Sequence, residues 1–192
     1  GDNKLMTLVE DATGPNYHSV AIDAGVTAHE PYTGGDTRQS TAWHSEFEDV
    51  NNDAFMDLFV AKGNIEEFPE TAAKDPSNLL IGQPGMTFVE GAEAAGIVDY
   101  ARARGAALVD FNLDGLLDIV EITRREKVRL WRSVGAGDAA TPAAMGHWAA
   151  IRLEQAAPNR DAIGAWVTVK VGDRTTDREL TVGGGDAGGQ LG

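Results

Sequence analysis

Short runs of apolar residues, separated by glycine, aspartate and asparagine, recur along most of the chain. Runs of this kind, bounded by turn-forming residues, are typical of β-strands rather than of long helices. Helical periodicity is weak, and its one candidate, residues 66–74, contains a proline. The pattern therefore predicts an all-β protein. The predicted strands lie at residues 57–63, 77–82, 87–91, 106–111, 118–123 and 127–133.

A second pattern begins near the C-terminus. Valines alternate with other residues over 166–171, Gly172 and Asp173 supply a two-residue turn, and a further run follows. This arrangement predicts a β-hairpin. The acidic excess lies before it, because residues 147–192 hold 5 basic and 6 acidic residues and the rest hold 11 and 24. We divide the chain into a first domain at 1–135, a linker at 136–146 and a small β module at 147–192.

An internal repeat organises the first domain. The stretch DVNNDAFMD, residues 49–57, returns 61 positions later as DFNLDGLLD, residues 110–118, with apolar residues aligned on both sides. A similar phrase stands upstream of each copy, AIDAGV at 21–26 and AEAAGI at 92–97. Several short strands in each repeat are what the four-stranded blades of a β-propeller give. The repeat predicts about two blades, a partial propeller, followed by the small sandwich-like module.

The two repeated loops have the composition of calcium loops. Ca²⁺ takes oxygen ligands, which alternate side chains and one backbone carbonyl of a curled loop can supply. Without histidine or cysteine in the loops, Zn²⁺ and Cu²⁺ fit poorly. The candidate ligands of the first loop are Asp49, Asn51, Asp53, the carbonyl of Phe55 and Asp57. Those of the second loop are Asp110, Asn112, Asp114, the carbonyl of Leu116 and Asp118.

The sixth position separates the two loops. The second loop has Gly115 there, where such loops turn sharply with a positive φ, and the first loop has Ala54. We expect the first site to be weaker or distorted, because alanine is strained in that conformation.

Two other interpretations of the loops stay open. The second loop also matches the EF-hand pattern, with Glu121 as its twelfth residue, but the strand-like sequence that follows disfavours flanking helices. The aspartates and asparagines could also be turn formers that bond only to their own backbone. Two loops in one register weigh against that interpretation.

Composition excludes several classes of function. With 30 acidic and 16 basic residues the net charge is -14, which argues against nucleic acid and anionic membranes as partners. Cysteine is absent, so thiolate metal sites, disulfides and cysteine nucleophiles are excluded. No apolar run is long enough to span a membrane. The motifs of common hydrolases and nucleotide-binding enzymes are also missing, and we expect no catalytic activity.

The repeat and the C-terminal module resemble known families. Residues 47–64 and 105–133 are similar to FG-GAP/VCBS repeats, in which an aspartate-rich calcium loop precedes a strand of each propeller blade. Residues 147–185 resemble the ASPIC/UnbV domain, most clearly in the phrase NRDAIGA at 159–165. The combination resembles the cartilage acidic protein-like family. Because members of that family carry more blades, the resemblance implies that this chain is a piece of a larger protein.

The expected function is a non-catalytic, calcium-binding propeller scaffold for protein–protein or matrix contact. The millimolar calcium outside the cytoplasm suits weak loops of this type, which favours an extracellular, cell-surface or periplasmic location. One alternative is an accessory subunit of a larger membrane-associated or redox assembly. Another is a hydrolase that uses Ca²⁺ as a Lewis acid.

Overall fold

The computed structural model describes residues 2–11 and 13–181. Within them the regular elements are β-strands joined by loops, and there is no helix. The all-β prediction is therefore confirmed. The strands are β1 Met6–Leu8, β2 Tyr17–Ser19, β3 Ala42–Glu48, β4 Asp57–Lys62, β5 Asn78–Gln83, β6 Thr87–Glu90, β7 Ala103–Val109, β8 Asp118–Thr123, β9 Arg129–Trp131, β10 Trp166–Val171 and β11 Arg174–Glu179.

The strands pair in chain order into small antiparallel sheets. Strands β3 to β6 form a four-stranded sheet, here called sheet I, and β7 to β9 form a three-stranded sheet, sheet II. Two hairpins, β1-β2 and β10-β11, stand before and after them. All six predicted strands are present, and β8 has the predicted bounds. Strands β1, β2 and β3 are additional, since their exposed and polar residues hide any strand pattern.

Sheet I is covered on both faces. One face packs against sheet II through a buried cluster that includes Phe59, Ala61, Leu108 and Ile119. The other face, with Leu58, Val60 and Leu80, packs against the chain around residues 20–26. All six residues of β4 are buried as a result. Burial on both sides explains why β4 is a continuous apolar run, whereas a half-exposed strand alternates.

The backbone repeats more widely than the two loops. Residues 20–26 and 91–97 make the same three backbone hydrogen bonds, at 2.8–3.1 Å. Gly25 and Gly96 take equivalent left-handed conformations, with φ of 78° and 71°. Each segment leads from one group of strands towards the next group. The upstream phrases AIDAGV and AEAAGI therefore belong to the same repeating unit as the loops.

The C-terminal region contains the predicted hairpin. Strands β10 and β11 pair from Trp166 opposite Glu179 to Val171 opposite Arg174, around a turn at Gly172. Within the predicted linker the chain folds back on itself, because the N–H of Ala136 donates to the carbonyl of Ala143 at 3.0 Å. Residues 182–192, the end of the predicted module, lie outside the described residues. The described part of the chain contains no helix that could cross a membrane.

Candidate metal centre

The two acidic loops lie side by side at one end of sheets I and II. Residues 49–56 connect β3 to β4, and residues 110–117 connect β7 to β8. The side-chain amide of Asn52 donates to the carbonyl of Gly115 at 3.0 Å, which joins the first loop to the second. The fold therefore brings together two stretches that the sequence separates by 61 positions.

The first aspartate of each loop accepts two backbone hydrogen bonds. Asp49 accepts from the N–H groups four and five residues later, at 3.0 and 2.8 Å. Asp110 accepts from the corresponding groups at 3.1 and 2.8 Å. Each carboxylate thus curls its own loop, as such side chains do in aspartate turns.

The third and fifth residues of the loops repeat in the same way. The side-chain oxygens of Asn51 and Asn112 accept from the N–H two residues later, at 3.1 and 3.2 Å. Their side-chain nitrogens donate to Asp53 and Asp114, at 2.9 and 2.7 Å. These two aspartates accept in turn from the N–H groups of residues 55 and 116, at 2.8 and 3.0 Å. The predicted alignment of the two loops therefore holds bond by bond.

The ninth residue ties each loop to its sheet. Asp57 and Asp118 are 1% and 2% exposed. Each accepts from the second residue of its loop, at 2.8 and 3.3 Å. Asp57 also accepts from the N–H of Gly82 in β5, and Asp118 from that of Ser133 after β9, both at 2.8 Å. Burial raises the pKa of Asp57 to about 6, against the opposing effect of its hydrogen bonds.

The sixth residues share one left-handed conformation. Gly115 has φ 84°, as predicted, and Ala54 has φ 68°. The expected distortion of the first loop is absent, because Ala54 adopts the conformation and donates to Asp49 at 2.8 Å, the same distance as in the second loop. Left-handed backbone at a non-glycine residue costs about 1–2 kcal/mol. The side-chain bonds of the loop hold Ala54 in that conformation.

The donor set fits a hard cation by its chemistry, since each loop offers carboxylate and amide oxygens with lone pairs beyond those that accept the N–H groups. In both loops, however, the carboxylate oxygens accept hydrogen bonds from backbone N–H groups of the same loop. Within 2–11 and 13–181, no group of three or more His, Cys, Asp or Glu side chains is placed to hold a metal ion. The two predicted carbonyl ligands belong to Phe55, which is half-buried, and Leu116, which is buried. Binding of a cation would require several of these oxygens to come together around it.

Strands, rather than the helix pair of an EF-hand, flank both loops. Glu121, the twelfth residue of the EF-hand pattern, lies in β8 and is buried. It accepts a short hydrogen bond from the hydroxyl of Ser77, which precedes β5. Burial raises the pKa of Glu121 to about 7, and the Ser77 hydroxyl opposes that shift. Glu121 therefore joins sheet II to sheet I and does not serve the loop.

The C-terminal hairpin contacts the first loop. Arg174 donates to the carbonyl of Asp53 at 2.6 Å, and its guanidinium lies 4.4 Å from the centre of the Phe55 ring. Arg178 forms an ion pair with Glu48 at 3.2 Å. The second loop is approached by Trp148, since a Cβ added at Gly115 would overlap its indole ring. Sequence reasoning gave no signal for these contacts, because they join separate predicted domains.

A buried charged group lies away from the loops. The Lys62 ammonium is 3.0 Å from a carboxylate oxygen of Asp75, and both side chains are fully buried. Ser40 donates to the same oxygen at 2.6 Å. Burial lowers the pKa of Lys62, and the charge of Asp75 opposes that shift. Sequence reasoning missed this group, because Lys62 ends an apolar strand and the other two residues lie in loops.

Comparison of the sequence with protein-family models and with curated proteins finds no match. The resemblance to FG-GAP/VCBS repeats and to the ASPIC/UnbV domain therefore stays a prediction. The site is described by its own geometry, in which two loops share one backbone conformation, one hydrogen-bond pattern and one end of two packed sheets.

Proposed function

We propose that this protein is a non-catalytic, calcium-stabilised scaffold, built from propeller-type blades and an ASPIC/UnbV-like module, that makes protein–protein or matrix contacts outside the cytoplasm. The observation that carries the proposal is the doubled loop. A single aspartate turn could arise by chance in an acidic sequence. Here the same set of hydrogen bonds forms in two loops, at residues 49–57 and at residues 110–118. A shared ligand is the simplest reason for two loops to keep the same oxygen donors.

A cation would act structurally in these loops. Three carboxylates in each loop repel one another, and a divalent ion relieves that repulsion. Asp57 already accepts from Gly82 of β5, and Asp118 from Ser133 just after β9, so an ion held by either would link the loop to the sheet. Binding to the folded state alone stabilises it by RT ln(1 + [L]/Kd). Weak sites would be filled at the millimolar calcium found outside cells.

The packing of the two sheets supports the propeller part of the proposal. Ala61 and Leu79 of sheet I are 0% and 5% exposed, because sheet II covers them. Ile122 and Leu130 hold the equivalent positions of sheet II, and they are 41% and 64% exposed. The exposed face of sheet II is thus equivalent to the face of sheet I that sheet II covers. A further sheet of the same kind could pack on it, as successive blades of a propeller do.

The same exposed face favours a second candidate, an accessory subunit of a larger assembly. In that case another chain, rather than a blade of the same protein, would cover Ile122 and Leu130. A change of either residue to aspartate should then abolish assembly and leave calcium binding intact. If a further blade of the same protein covers this face, the same change should instead lower the melting temperature of the protein that carries that blade.

Terbium, which occupies calcium sites and emits when a nearby tryptophan is excited, tests the metal part of the proposal. Trp148 lies against the second loop. We expect sensitised emission that excess calcium abolishes and that falls strongly in Asp114→Ala. The Asp53→Ala variant, which alters the first loop, should keep most of the signal.

Two tryptophan variants give the matched control. Trp148→Phe should lower the emission, whereas Trp166→Phe, which changes an exposed residue of β10, should not. Emission that is equal in the wild type and in Asp114→Ala would contradict the assignment of the site to the second loop. Absence of any emission would contradict cation binding near Trp148.

A further inference from the structure

A cluster of arginines lies at the end of the sheets opposite the acidic loops. Strand β4 starts at the first loop and ends at Lys62, and residues 63–66 continue from that far end. Strand β7 begins there and β8 turns back there, since each runs to or from the second loop. The cluster consists of Arg102, Arg104, Arg124 and Arg125, with the carboxylate of Glu66 among them.

One member, Arg104, is fixed in place. Its guanidinium lies 4.2 Å from the centre of the Trp43 ring and donates to the carbonyls of Asn64 and Ile65, both at 2.7 Å. Burial, followed by the positive charges of Arg124 and Arg102, lowers the pKa of Arg104. The arginines therefore face one another closely enough to repel. A cluster of this sort attracts an anion.

The only carboxylate bound to the cluster among the described residues is that of Glu66. Arg124 and Arg125 both reach its Oε1, at 2.8 and 2.7 Å, and Arg102 donates to its backbone carbonyl at 2.6 Å. Two guanidinium groups thus share the Glu66 carboxylate, and those of Arg102 and Arg104 are held beside them by backbone carbonyls. Arg125 and Glu66 are also accessible, with side chains 69% and 45% exposed.

The turn between β8 and β9 sets the position of Arg125. Its φ of 61° is left-handed, a conformation that glycine or asparagine adopts more easily. The turn between β8 and β9 nevertheless places a long cationic side chain there, and that side chain reaches Glu66. The strained position adds one accessible positive charge to the cluster.

We propose that this arginine cluster is a docking surface for an acidic peptide segment of a partner protein, whose carboxylates replace or join that of Glu66. Carboxylates match the planar fork of arginine, and Glu66 shows that two arginines can share one here. The acidic loops do not prevent docking. The six residues of β4 separate the two ends by about 20 Å, whereas charges are screened over about 8–10 Å at physiological salt.

The probe is a fluorescently labelled hexaglutamate peptide, with binding followed by anisotropy at about 0.15 M salt, where the acidic loops are screened, in calcium-free buffer. We expect the Arg124→Gln/Arg125→Gln double variant to bind roughly tenfold more weakly, a change of about 1.4 kcal/mol. Arg152 pairs with Glu154 at 3.0 Å on an exposed surface elsewhere. The Arg152→Gln/Arg160→Gln double variant, which removes two exposed positive charges outside the cluster, should bind as the wild type does.

Glu66→Gln gives the sharper result. Removal of the internal carboxylate frees Arg124 and Arg125, so the peptide should bind several-fold more tightly, whereas Glu154→Gln should change little. Equal effects within each matched pair would overturn the proposal, because they would show attraction by overall charge. Binding of a sulfated oligosaccharide but not of the peptide would overturn the choice of partner. Unchanged melting temperatures would show that the variants are folded.

Discussion

The two repeats of this protein, sheet I with its loop and sheet II with its loop, share a backbone and differ in their surroundings. The loops make the same bonds although one has Ala54 and the other Gly115 at the turn. Within the sheets, Val60 of the first repeat corresponds to Glu121 of the second, and both are buried. The comparison shows that aspartate and asparagine side chains set the loop conformation, whereas the interior of each sheet depends on what packs against it.

The largest effect is expected from the ninth loop residues. Asp57→Ala and Asp118→Ala would each leave two partly or fully buried backbone N–H groups without a partner, at a cost on the order of 3 kcal/mol in the free energy of unfolding. Chemical denaturation of both variants would measure this loss. The Asp173→Ala variant, which changes an exposed turn residue, is the control. A loss in either variant no greater than in the control would show that the bond to the neighbouring strand does not hold the loop.

Glu121 of the second repeat should make the stability depend on pH, whereas Val60, the equivalent residue of the first repeat, does not titrate. The pKa of Glu121 in the folded protein is about 7, above the ordinary value of 4.5, so the folded state holds the proton more tightly. Its contribution to stability is therefore full below about pH 4.5 and is lost as the pH rises through 7. Each unit of pKa difference corresponds to about 1.4 kcal/mol.

Glu121→Gln should remove this dependence, because glutamine can bond to Ser77 and does not titrate. The difference in unfolding free energy between the wild type and the variant, measured from pH 4 to pH 8, isolates Glu121 from Asp57, whose pKa is also raised. A difference that does not change with pH would mean that Glu121 titrates normally in the folded state.

A smaller effect is expected from exchanging the sixth loop residues. Gly115→Ala introduces backbone strain of about 1–2 kcal/mol at a left-handed position and also overlaps the Trp148 ring, so we expect a loss larger than that strain. Ala54→Gly relieves the same strain, and we expect a gain of no more than about 1 kcal/mol. Thermal melting of both variants would measure these changes. Effects of the same sign would contradict the equivalence of the two loops.

The fold was predictable where the chain repeats and unpredictable where distant segments meet. Strands β4, β5 and β8 are apolar runs that stand out in the sequence, and the loops repeat residue by residue. Strand β3 was missed because its most buried residue is His44, while Phe47 is exposed, so no apolar alternation marks it. No local pattern could reveal the arginine cluster, since residue 66, residues 102–104 and residues 124–125 meet only through the packing of the two sheets.

Calcium titration by calorimetry, paired with thermal melting, tests the central claim most directly. The wild type, Asp53→Ala and Asp114→Ala would be compared, with magnesium as the control ion. We predict a saturable heat and a calcium-dependent rise in melting temperature, with each variant losing the contribution of one loop. A flat titration with an unchanged melting temperature would contradict the account, and the loops would then be turns held only by their own hydrogen bonds.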